Sequence, residues 1–327
     1  MSRRLMQLGL LLTGIIIPAA GFSQPVPSPF PVPAPVAGAP FPESANAKTY
    51  ATLPSAAATE NICEQADGSI FVTLIDEKKL LKVATDGKVG EFASVPTAAN
   101  MLGVGCGENE VALVVFNKTF RGAPNPSGQG NLPANFSDND AHVMIYDLDG
   151  KLKADIPTEK GMGFNGFAYG GQGMYYAGDS GSGTIYRVDG ATKKIEVWFR
   201  DAKYGPNAGN AIGINGVRVK NNWVYFAGAS QNGIYKIQMG ADGKAQGAPQ
   251  IVEQGIRADD FDVGNDGSVY FPAGTILFRA LPTGQVTVMA DPIQGAPSAV
   301  VTRDGKWVVW PTRGGTAPQR LVRVPIP

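Results

Sequence analysis

Four polar residues stand at one repeated distance from an aromatic residue in a short apolar segment. Each lies eleven positions before its aromatic partner, and the four pairs are Glu60 and Phe71, Asn165 and Tyr176, Asn215 and Phe226, and Asp259 and Tyr270. If the apolar segments are equivalent strands around one axis, the spacing predicts that these side chains lie at equivalent depths at one end of that axis. Two carboxylates and two amide oxygens form a hard ligand set for Ca²⁺, Mg²⁺ or Mn²⁺, and Zn²⁺ is also acceptable. A bound divalent ion polarises a carbonyl group and lowers the pKa of bound water, which is the chemistry of hydrolysis.

The same residues have a simpler explanation as turn residues. Asn, Gly and Asp favour turns for local backbone reasons, so Asn-Gly and Asp-Asp before a strand need no further function. This explanation does not account for Glu60, which stands in register with the others although Glu is not a turn residue.

The segments that must position these residues recur six times. Six apolar or aromatic segments, interpreted as the inner strands of repeated units, occupy residues 69–73, 111–116, 174–177, 223–226, 268–271 and 306–310. A second apolar segment follows each of them, and most units then reach a glycine turn such as Asp86-Gly87. Six units at periods of about 40 to 60 residues predict an all-β, six-bladed β-propeller, in which four-stranded blades surround a channel.

The sequence also predicts how the ring closes and where its longest insertion lies. The sixth unit stops near Val324, and residues 48–53 can add as the missing outer strand, which would close the ring. The second unit contains the longest insertion, from Asn117 to Asp140, which is either a lid over a site or an ordinary surface loop.

The N-terminus has the pattern of a secretory signal peptide over residues 1–23. Arg3 and Arg4 precede the apolar run 8–17 and then small residues. A Pro- and Ala-rich linker follows over residues 24–47, and the propeller domain spans 48–327. We therefore expect an exported protein, periplasmic or secreted, with no membrane span. In that compartment Cys63 and Cys106 either form a disulfide or serve as two small buried side chains.

The composition argues against two classes of function, nucleic-acid binding and Ser-His-Asp hydrolysis. The 327 residues carry 28 Lys and Arg against 28 Asp and Glu, and the basic residues are scattered, which argues against a nucleic-acid partner. The only histidine, His142, has no G-x-S-x-G nucleophile to serve, so a Ser-His-Asp hydrolase is not expected. We interpret His142 as an ordinary residue at the start of a strand.

Short motifs before the apolar segments resemble those of one family. They are Glu60-Asn61-Ile62, Asn165-Gly166-Phe167-Ala168, Ile214-Asn215-Gly216-Val217 and Asp259-Asp260-Phe261, together with the turn 179–187. In their order and spacing they look like the senescence marker protein, gluconolactonase and luciferin-regenerating enzyme family. The resemblance covers about residues 58–324.

The resemblance implies a six-bladed propeller with one divalent cation at the top of the channel, Ca²⁺ being the first candidate. Its ligands would be Glu60, Asn215 and Asp259, and Asn165 would lie beside the metal, as a further ligand or in contact with substrate. Asn61 and Asp260 depart from the family pattern, where glycine is usual. Asp260 leaves open which aspartate is the ligand, although the spacing to Tyr270 favours Asp259, and we count Asp260 as a candidate substrate contact.

The resulting hypothesis is a lactonase that opens a small-molecule lactone with a metal-activated water. Asp259 or Glu60 would accept the proton from that water, and the two asparagines would orient the substrate. One alternative is a non-catalytic propeller that binds a ligand or partner around a structural cation. Another is a strictosidine-synthase-like enzyme, which shares the fold and uses a glutamate base without a metal. The sequence sets neither the substrate nor the oligomeric state.

Overall fold

The computed structural model describes residues 43–117, 140–208, 210–313 and 318–327. The predicted signal peptide, most of the linker and the insertion 118–139 lie outside the described residues. Within the described ranges the backbone forms six four-stranded antiparallel sheets and two short 3₁₀ turns, Ala202–Tyr204 and Ala229–Gln231. No helix in these ranges has the length and apolar character needed to cross a membrane.

The six sheets are consecutive blades. Blade 1 contains β2 (Thr59–Glu64), β3 (Ile70–Leu74), β4 (Lys79–Val83) and β5 (Val89–Ser94); blade 2 contains β6 (Asn100–Cys106), β7 (Glu110–Phe116), β8 (Ala141–Asp147) and β9 (Leu152–Pro157). Blade 3 contains β10 (Phe164–Gly171), β11 (Met174–Asp179), β12 (Thr184–Asp189) and β13 (Lys194–Arg200); blade 4 contains β14 (Ile214–Lys220), β15 (Trp223–Gly228), β16 (Gly233–Met239) and β17 (Ala245–Gln254). Blade 5 contains β18 (Asp262–Val263), β19 (Val269–Ala273), β20 (Ile276–Ala280) and β21 (Val286–Ala290); blade 6 contains β22 (Val300–Val301), β23 (Trp307–Pro311), β24 (Arg320–Pro325) and β1 (Lys48–Thr52).

The first strands of the blades surround a central channel. β2, β6, β10, β14, β18 and β22 contact one another in that order, and β22 returns to β2, so the ring is closed. The six-bladed β-propeller predicted from the repeats is therefore confirmed. Closing the sheets into a ring also leaves no blade with an unprotected inner edge.

The apolar segments that mark the repeats in the sequence are not the innermost strands. They form the second strand of each blade, while Glu60, Asn165 and Asn215 lie in first strands and Asp259 lies just before one. The interpretation of these segments as inner strands was wrong. First strands such as β10, with the sequence FNGFAYGG, contain glycines in place of an alternating apolar pattern, so they give a weaker sequence signal.

The N-terminal strand closes the last blade as predicted. β1 pairs antiparallel with β24, and the sheet order is β1-β24-β23-β22. The hydroxyl of Tyr50 in β1 donates a hydrogen bond of 3.0 Å to the Ala84 carbonyl in blade 1. β1 therefore completes blade 6 and also contacts the blade beyond it.

The core is divided into wedges between neighbouring blades. Six clusters of buried side chains fill the six interfaces of the described chain, and aromatic residues contribute much of their volume. Phe167 stacks on Tyr175 with ring centroids 5.2 Å apart, and Phe226 stacks on Tyr235 at 5.4 Å. Each such buried side chain contributes about 1.5–3 kcal/mol.

The two cysteines form a disulfide, which decides between the alternatives left open by the sequence. Cys63 in β2 and Cys106 in β6 have Cα atoms 5.7 Å apart. The bond therefore joins the first strands of blades 1 and 2 beside the channel.

Candidate functional site

A β-bulge positions the candidate residues in the first strands. The pairing with the second strand skips two consecutive residues, which are Glu60 and Asn61 in β2, Asn165 and Gly166 in β10, and Asn215 and Gly216 in β14. A bulge places two residues opposite one and re-aims their side chains. β6 has the same irregularity at Leu102 and Gly103, so blade 2 presents an apolar residue at this level.

The glycines of the two Asn-Gly pairs allow the first strands to approach one another. A Cβ atom on Gly166 would lie 2.4 Å from the Asn215 carbonyl oxygen, and one on Gly216 would lie 2.3 Å from the Asp260 carboxylate. Both distances are too short for a side chain. The glycines are thus required for the packing that places the adjacent asparagines side by side.

The aromatic residue eleven positions after the polar residue has the same place in the strand pairing in three of the four blades, and a different place in blade 4. Phe71, Tyr176 and Tyr270 each pair with the residue three positions after the candidate polar residue. In blade 4 the residue three positions after Asn215 pairs with Tyr225, ten positions after Asn215. This shift of one residue arises in the hairpins. The β10–β11 hairpin contains one extra residue as a second bulge, whereas the β14–β15 hairpin closes with a regular two-residue turn at Asn221 and Asn222.

Asp259 lies at the mouth of the channel beside Asn215. The amide of Asn215 donates a hydrogen bond to the Asp259 carboxylate, and the Gly216 backbone N–H donates to the Asp259 carbonyl oxygen at 3.0 Å. The Asp259 side chain is 36% exposed. Partial withdrawal from water and repulsion by the neighbouring Asp260 carboxylate raise the pKa of Asp259 to about 6. Asp259 is therefore mostly ionised at neutral pH and close to the range useful for a base.

The Asp260 side chain, unlike that of Asp259, is buried. Its carboxylate is 3% exposed, lies 2.6 Å from a guanidinium nitrogen of Arg218 and accepts a hydrogen bond of 2.8 Å from the Ser298 hydroxyl. Burial raises the pKa of Asp260, and the charge of Arg218 opposes that change. Of the two aspartates, Asp259 faces the mouth and Asp260 is held inside the protein. Neither Arg218 nor Ser298 was predicted from the sequence.

Arg313 is a further residue of the site that the sequence does not reveal. It follows β23 in blade 6, and its guanidinium lies between two of the candidate carboxylates. One terminal nitrogen pairs with the Glu60 carboxylate, and the other is 3.6 Å from Asp259 Oδ2. Its Nε donates to the Thr59 carbonyl oxygen at 2.9 Å. Burial lowers the pKa of Arg313 to about 10, so it stays charged at neutral pH.

Asn165 belongs to the same end of the channel through a different set of contacts. Its amide donates to the Ser180 hydroxyl at 3.3 Å, and Ser180 donates in turn to the Ile214 carbonyl oxygen at 3.2 Å, directly before Asn215. The carbonyl oxygen of the Asn165 side chain is buried without a hydrogen-bond partner in the described part of the chain. A buried acceptor of this kind is costly unless something else satisfies it.

The donor chemistry of these residues fits a hard divalent cation. Glu60, Asn215 and Asp259 provide oxygens within one connected set of contacts, and the unpartnered oxygen of Asn165 is a further donor. No group of three or more His, Cys, Asp and Glu side chains suited to a metal occurs among the described residues. At this site two carboxylates meet, and the remaining donors are amides. Two carboxylates balance the charge of one divalent ion.

A cavity of about 400 Å³ lies at the other end of the channel. It is lined by later residues of the same first strands, among them Glu64, Arg218 and Asp262, together with the disulfide. None of the four candidate residues lines it. His142 is also separate from the candidate site, because it bridges Asn117 and Asp155 at 2.9 and 2.6 Å in the outer part of blade 2.

Comparison with protein families finds no family model that matches the chain, and comparison with curated proteins finds no match. Solved structures match the fold over most of its length. A gluconolactonase from Xanthomonas campestris is 13% identical with a TM-score of 0.61, and the match covers 86% of this chain and 89% of that one. The calcium-binding protein regucalcin from Agrobacterium tumefaciens is 13% identical with a TM-score of 0.58, covering 84% and 93%. A luciferin-regenerating enzyme is 11% identical with a TM-score of 0.57, covering 85% and 94%.

These structural neighbours are the propellers named by the resemblance of the motifs, so that resemblance is confirmed in the fold. At such low identity the likeness shows the fold alone. A lyase and a PQQ-bound sugar dehydrogenase match the fold as well. Because one fold hosts several chemistries, the function must be argued from the residues at the channel mouth.

Proposed function

We propose that this protein is a hydrolase that opens a lactone ring at the channel mouth. The observation that carries the proposal is the connected set of Glu60, Asn215 and Asp259, in which two of the three residues are turned by equivalent bulges. Polar side chains that converge from separate blades are costly to assemble and serve no packing purpose. The gluconolactonase among the structural neighbours supports the choice of a cyclic ester as substrate.

We further propose that Glu60, Asn165, Asn215 and Asp259 hold one divalent cation, with Ca²⁺ the first ion to test. The all-oxygen donor set and the unpartnered oxygen of Asn165 support this assignment. The regucalcin neighbour is a calcium-binding protein. When bound, such an ion polarises an ester carbonyl and lowers the pKa of water.

The chain's own residues then have separate tasks. Asp259, exposed at the mouth and ionised at neutral pH, accepts a proton from the attacking water, and Glu60 is the second candidate base. Asn165 and Asn215 orient the ester through their amide groups. Asp260 stays bonded to Arg218 and Ser298, so its task is to fix the turn that presents Asp259.

We propose that the protein is exported. The charged, apolar and small-residue segments of the N-terminus support this, and the Cys63–Cys106 disulfide is consistent with an oxidising compartment. N-terminal sequencing of protein recovered outside the cytoplasm would test it, and recovery only of an uncleaved cytoplasmic chain would contradict it.

The experiment that tests the function combines metal analysis with lactonase assays. Protein washed with chelator is assayed on a panel of lactones before and after addition of Ca²⁺, Mg²⁺, Mn²⁺ or Zn²⁺. We expect metal-dependent ring opening and a loss of about 100-fold or more in kcat/KM for Asp259→Asn. Asp242→Asn, at an exposed turn between β16 and β17, is the matched control and keeps full activity.

Two results would argue for other functions. Cation binding without ring opening across the panel would support a non-catalytic binding propeller. An active enzyme that neither binds nor needs a cation would contradict the metal assignment and favour a carboxylate base acting alone, as in strictosidine-synthase-like propellers.

A further inference from the structure

The guanidinium of Arg313 lies where a cation shared by Glu60 and Asp259 would lie. Its two terminal nitrogens face the two carboxylates, one in contact with Glu60 and the other 3.6 Å from Asp259 Oδ2. Glu60 reaches this point from blade 1, Asp259 from blade 5 and Arg313 from blade 6. Arg313 is thus the group that joins the two carboxylates across the channel.

The position of Arg313 is fixed by its backbone as well as by its charge. Its N–H donates to the Gly295 carbonyl oxygen at 2.7 Å, and its Nε donates to the Thr59 carbonyl oxygen at 2.9 Å. Thr59 directly precedes Glu60, and its hydroxyl donates to the Thr312 carbonyl oxygen at 2.8 Å. Arg313 and Glu60 are therefore held together by bonds on both sides of their ion pair.

Charge balance opposes simultaneous binding of Arg313 and a divalent ion by the two carboxylates. Glu60 and Asp259 carry two negative charges, and Glu60 is only 6% exposed. A guanidinium and a divalent ion together would place three positive charges against two negative ones in a partly buried mouth, where repulsion is poorly screened. Binding of either cation therefore weakens binding of the other.

We propose that Arg313 competes with a divalent cation for Glu60 and Asp259, and that it thereby sets the affinity of the site for metal. The inference rests on the metal site of the proposed function. It assigns to Arg313 a task separate from catalysis: its guanidinium neutralises the two carboxylates when no ion is bound and must withdraw from them when one binds. The site then accepts a divalent ion only when the ion is concentrated enough to displace an internal group, so metal loading becomes dependent on the surrounding ion concentration.

The test measures Ca²⁺ binding directly, by calorimetry on chelator-washed protein, and does not depend on activity. Arg313→Gln removes the charge while keeping a side chain of similar polarity, and we expect it to bind Ca²⁺ about tenfold more tightly than the parent. Arg313→Lys keeps a positive charge near the carboxylates and should stay close to the parent affinity. Thermal unfolding of each variant checks that it folds.

Arg257→Gln is the matched control, because Arg257 acts on Asp259 only through its charge and is exposed. We expect this variant to change the affinity much less than Arg313→Gln does. Equal gains from the two variants would mean that net charge, and not occupancy by Arg313, controls binding, and would overturn the inference.

The remaining outcomes separate the two proposals. If the parent binds Ca²⁺ and Arg313→Gln binds it equally or more weakly, competition is refuted while the metal site stands. If no variant, Arg313→Gln included, binds Ca²⁺ or Mn²⁺, the metal site itself is refuted and the competition falls with it.

Discussion

Single residues show how neighbouring carboxylates can acquire different tasks. Asp259 and Asp260 are adjacent in sequence, yet one side chain is 36% exposed at the mouth and the other is 3% exposed. The difference follows from Arg218, whose side chain is 11% exposed and whose guanidinium contacts Asp260. A buried carboxylate needs such a partner, whereas a carboxylate at the mouth can be neutralised by a ligand or by another side chain.

Removing Arg218 should leave Asp260 as an uncompensated buried charge. We expect Arg218→Met to lower the free energy of unfolding by about 3 kcal/mol, measured by chemical denaturation. The double variant Arg218→Met and Asp260→Asn should recover part of this loss, because the Asp260 charge is then absent while Asp262, whose Oδ1 lies 3.8 Å from Arg218 Nε, still loses its partner. Lys244→Met, which breaks an exposed ion pair, should cost less than about 0.5 kcal/mol. A double variant no more stable than Arg218→Met would contradict the argument.

The residues of the site differ in how far the sequence predicts them. The four polar residues repeat one position in four of the six units, so they stand out by spacing even though the pairing of the aromatic residue is shifted by one in blade 4. Arg313 lies after β23 and does not repeat a position in the other blades, so nothing in the sequence pattern distinguishes it from the other arginines. The choice between Asp259 and Asp260 depends on a long-range partner, Arg218, which no local pattern reveals.

The strands also differ in how far the local sequence predicts them. The second strands are short apolar runs bounded by turns, and that pattern was enough to predict six units. First strands are buried by contact with neighbouring blades, and three of them, β6, β10 and β14, contain glycines for close approach, so their sequences lack a clear strand pattern. The closing strand β1 was predicted because the sixth unit lacked a fourth strand.

The outer strand β17 carries a buried carboxyl group with an unusual environment. Glu253 is 5% exposed, and one of its oxygens accepts a hydrogen bond of 3.0 Å from the Ile256 N–H, while the other has no partner in the described ranges. Burial raises the pKa of Glu253 to about 7. The folded protein therefore binds this proton more tightly than the unfolded chain, and its stability falls as the pH rises from about 4.5 to 7.

Replacing this carboxyl by an amide should remove that pH dependence. We expect Glu253→Gln to be more stable than the parent by about 2 kcal/mol at pH 8, with the difference vanishing below about pH 4.5. Urea denaturation at a series of pH values measures it. Glu91→Gln, on the exposed strand β5, is the control and should leave the stability unchanged. A difference that is the same at pH 4 and pH 8 would show that packing, and not ionisation, is responsible.

Within the complete ring, blade 1 is bonded to both of its neighbouring blades. The Cys63–Cys106 disulfide joins its first strand to that of blade 2, and β1 joins blade 6 to blade 1 through Tyr50 and Ala84. Blade 1 also carries Glu60, whose partner Arg313 comes from blade 6. The closure of the ring and the geometry of the candidate site therefore depend on the same junction.

Removing the closing strand should test how much this junction contributes. A protein that begins at Leu53 lacks β1, exposes the edge of β24 and loses the buried Ala51 and the packing of Tyr50 on the Arg323 guanidinium, which lies 4.9 Å from the ring. We expect a loss of about 4 kcal/mol, which lowers Tm by about 10 °C. Size-exclusion chromatography should show association through the unpaired edge. The control begins at Glu43 and keeps β1, and an identical Tm for the two proteins would refute the role assigned to this strand in closing the ring.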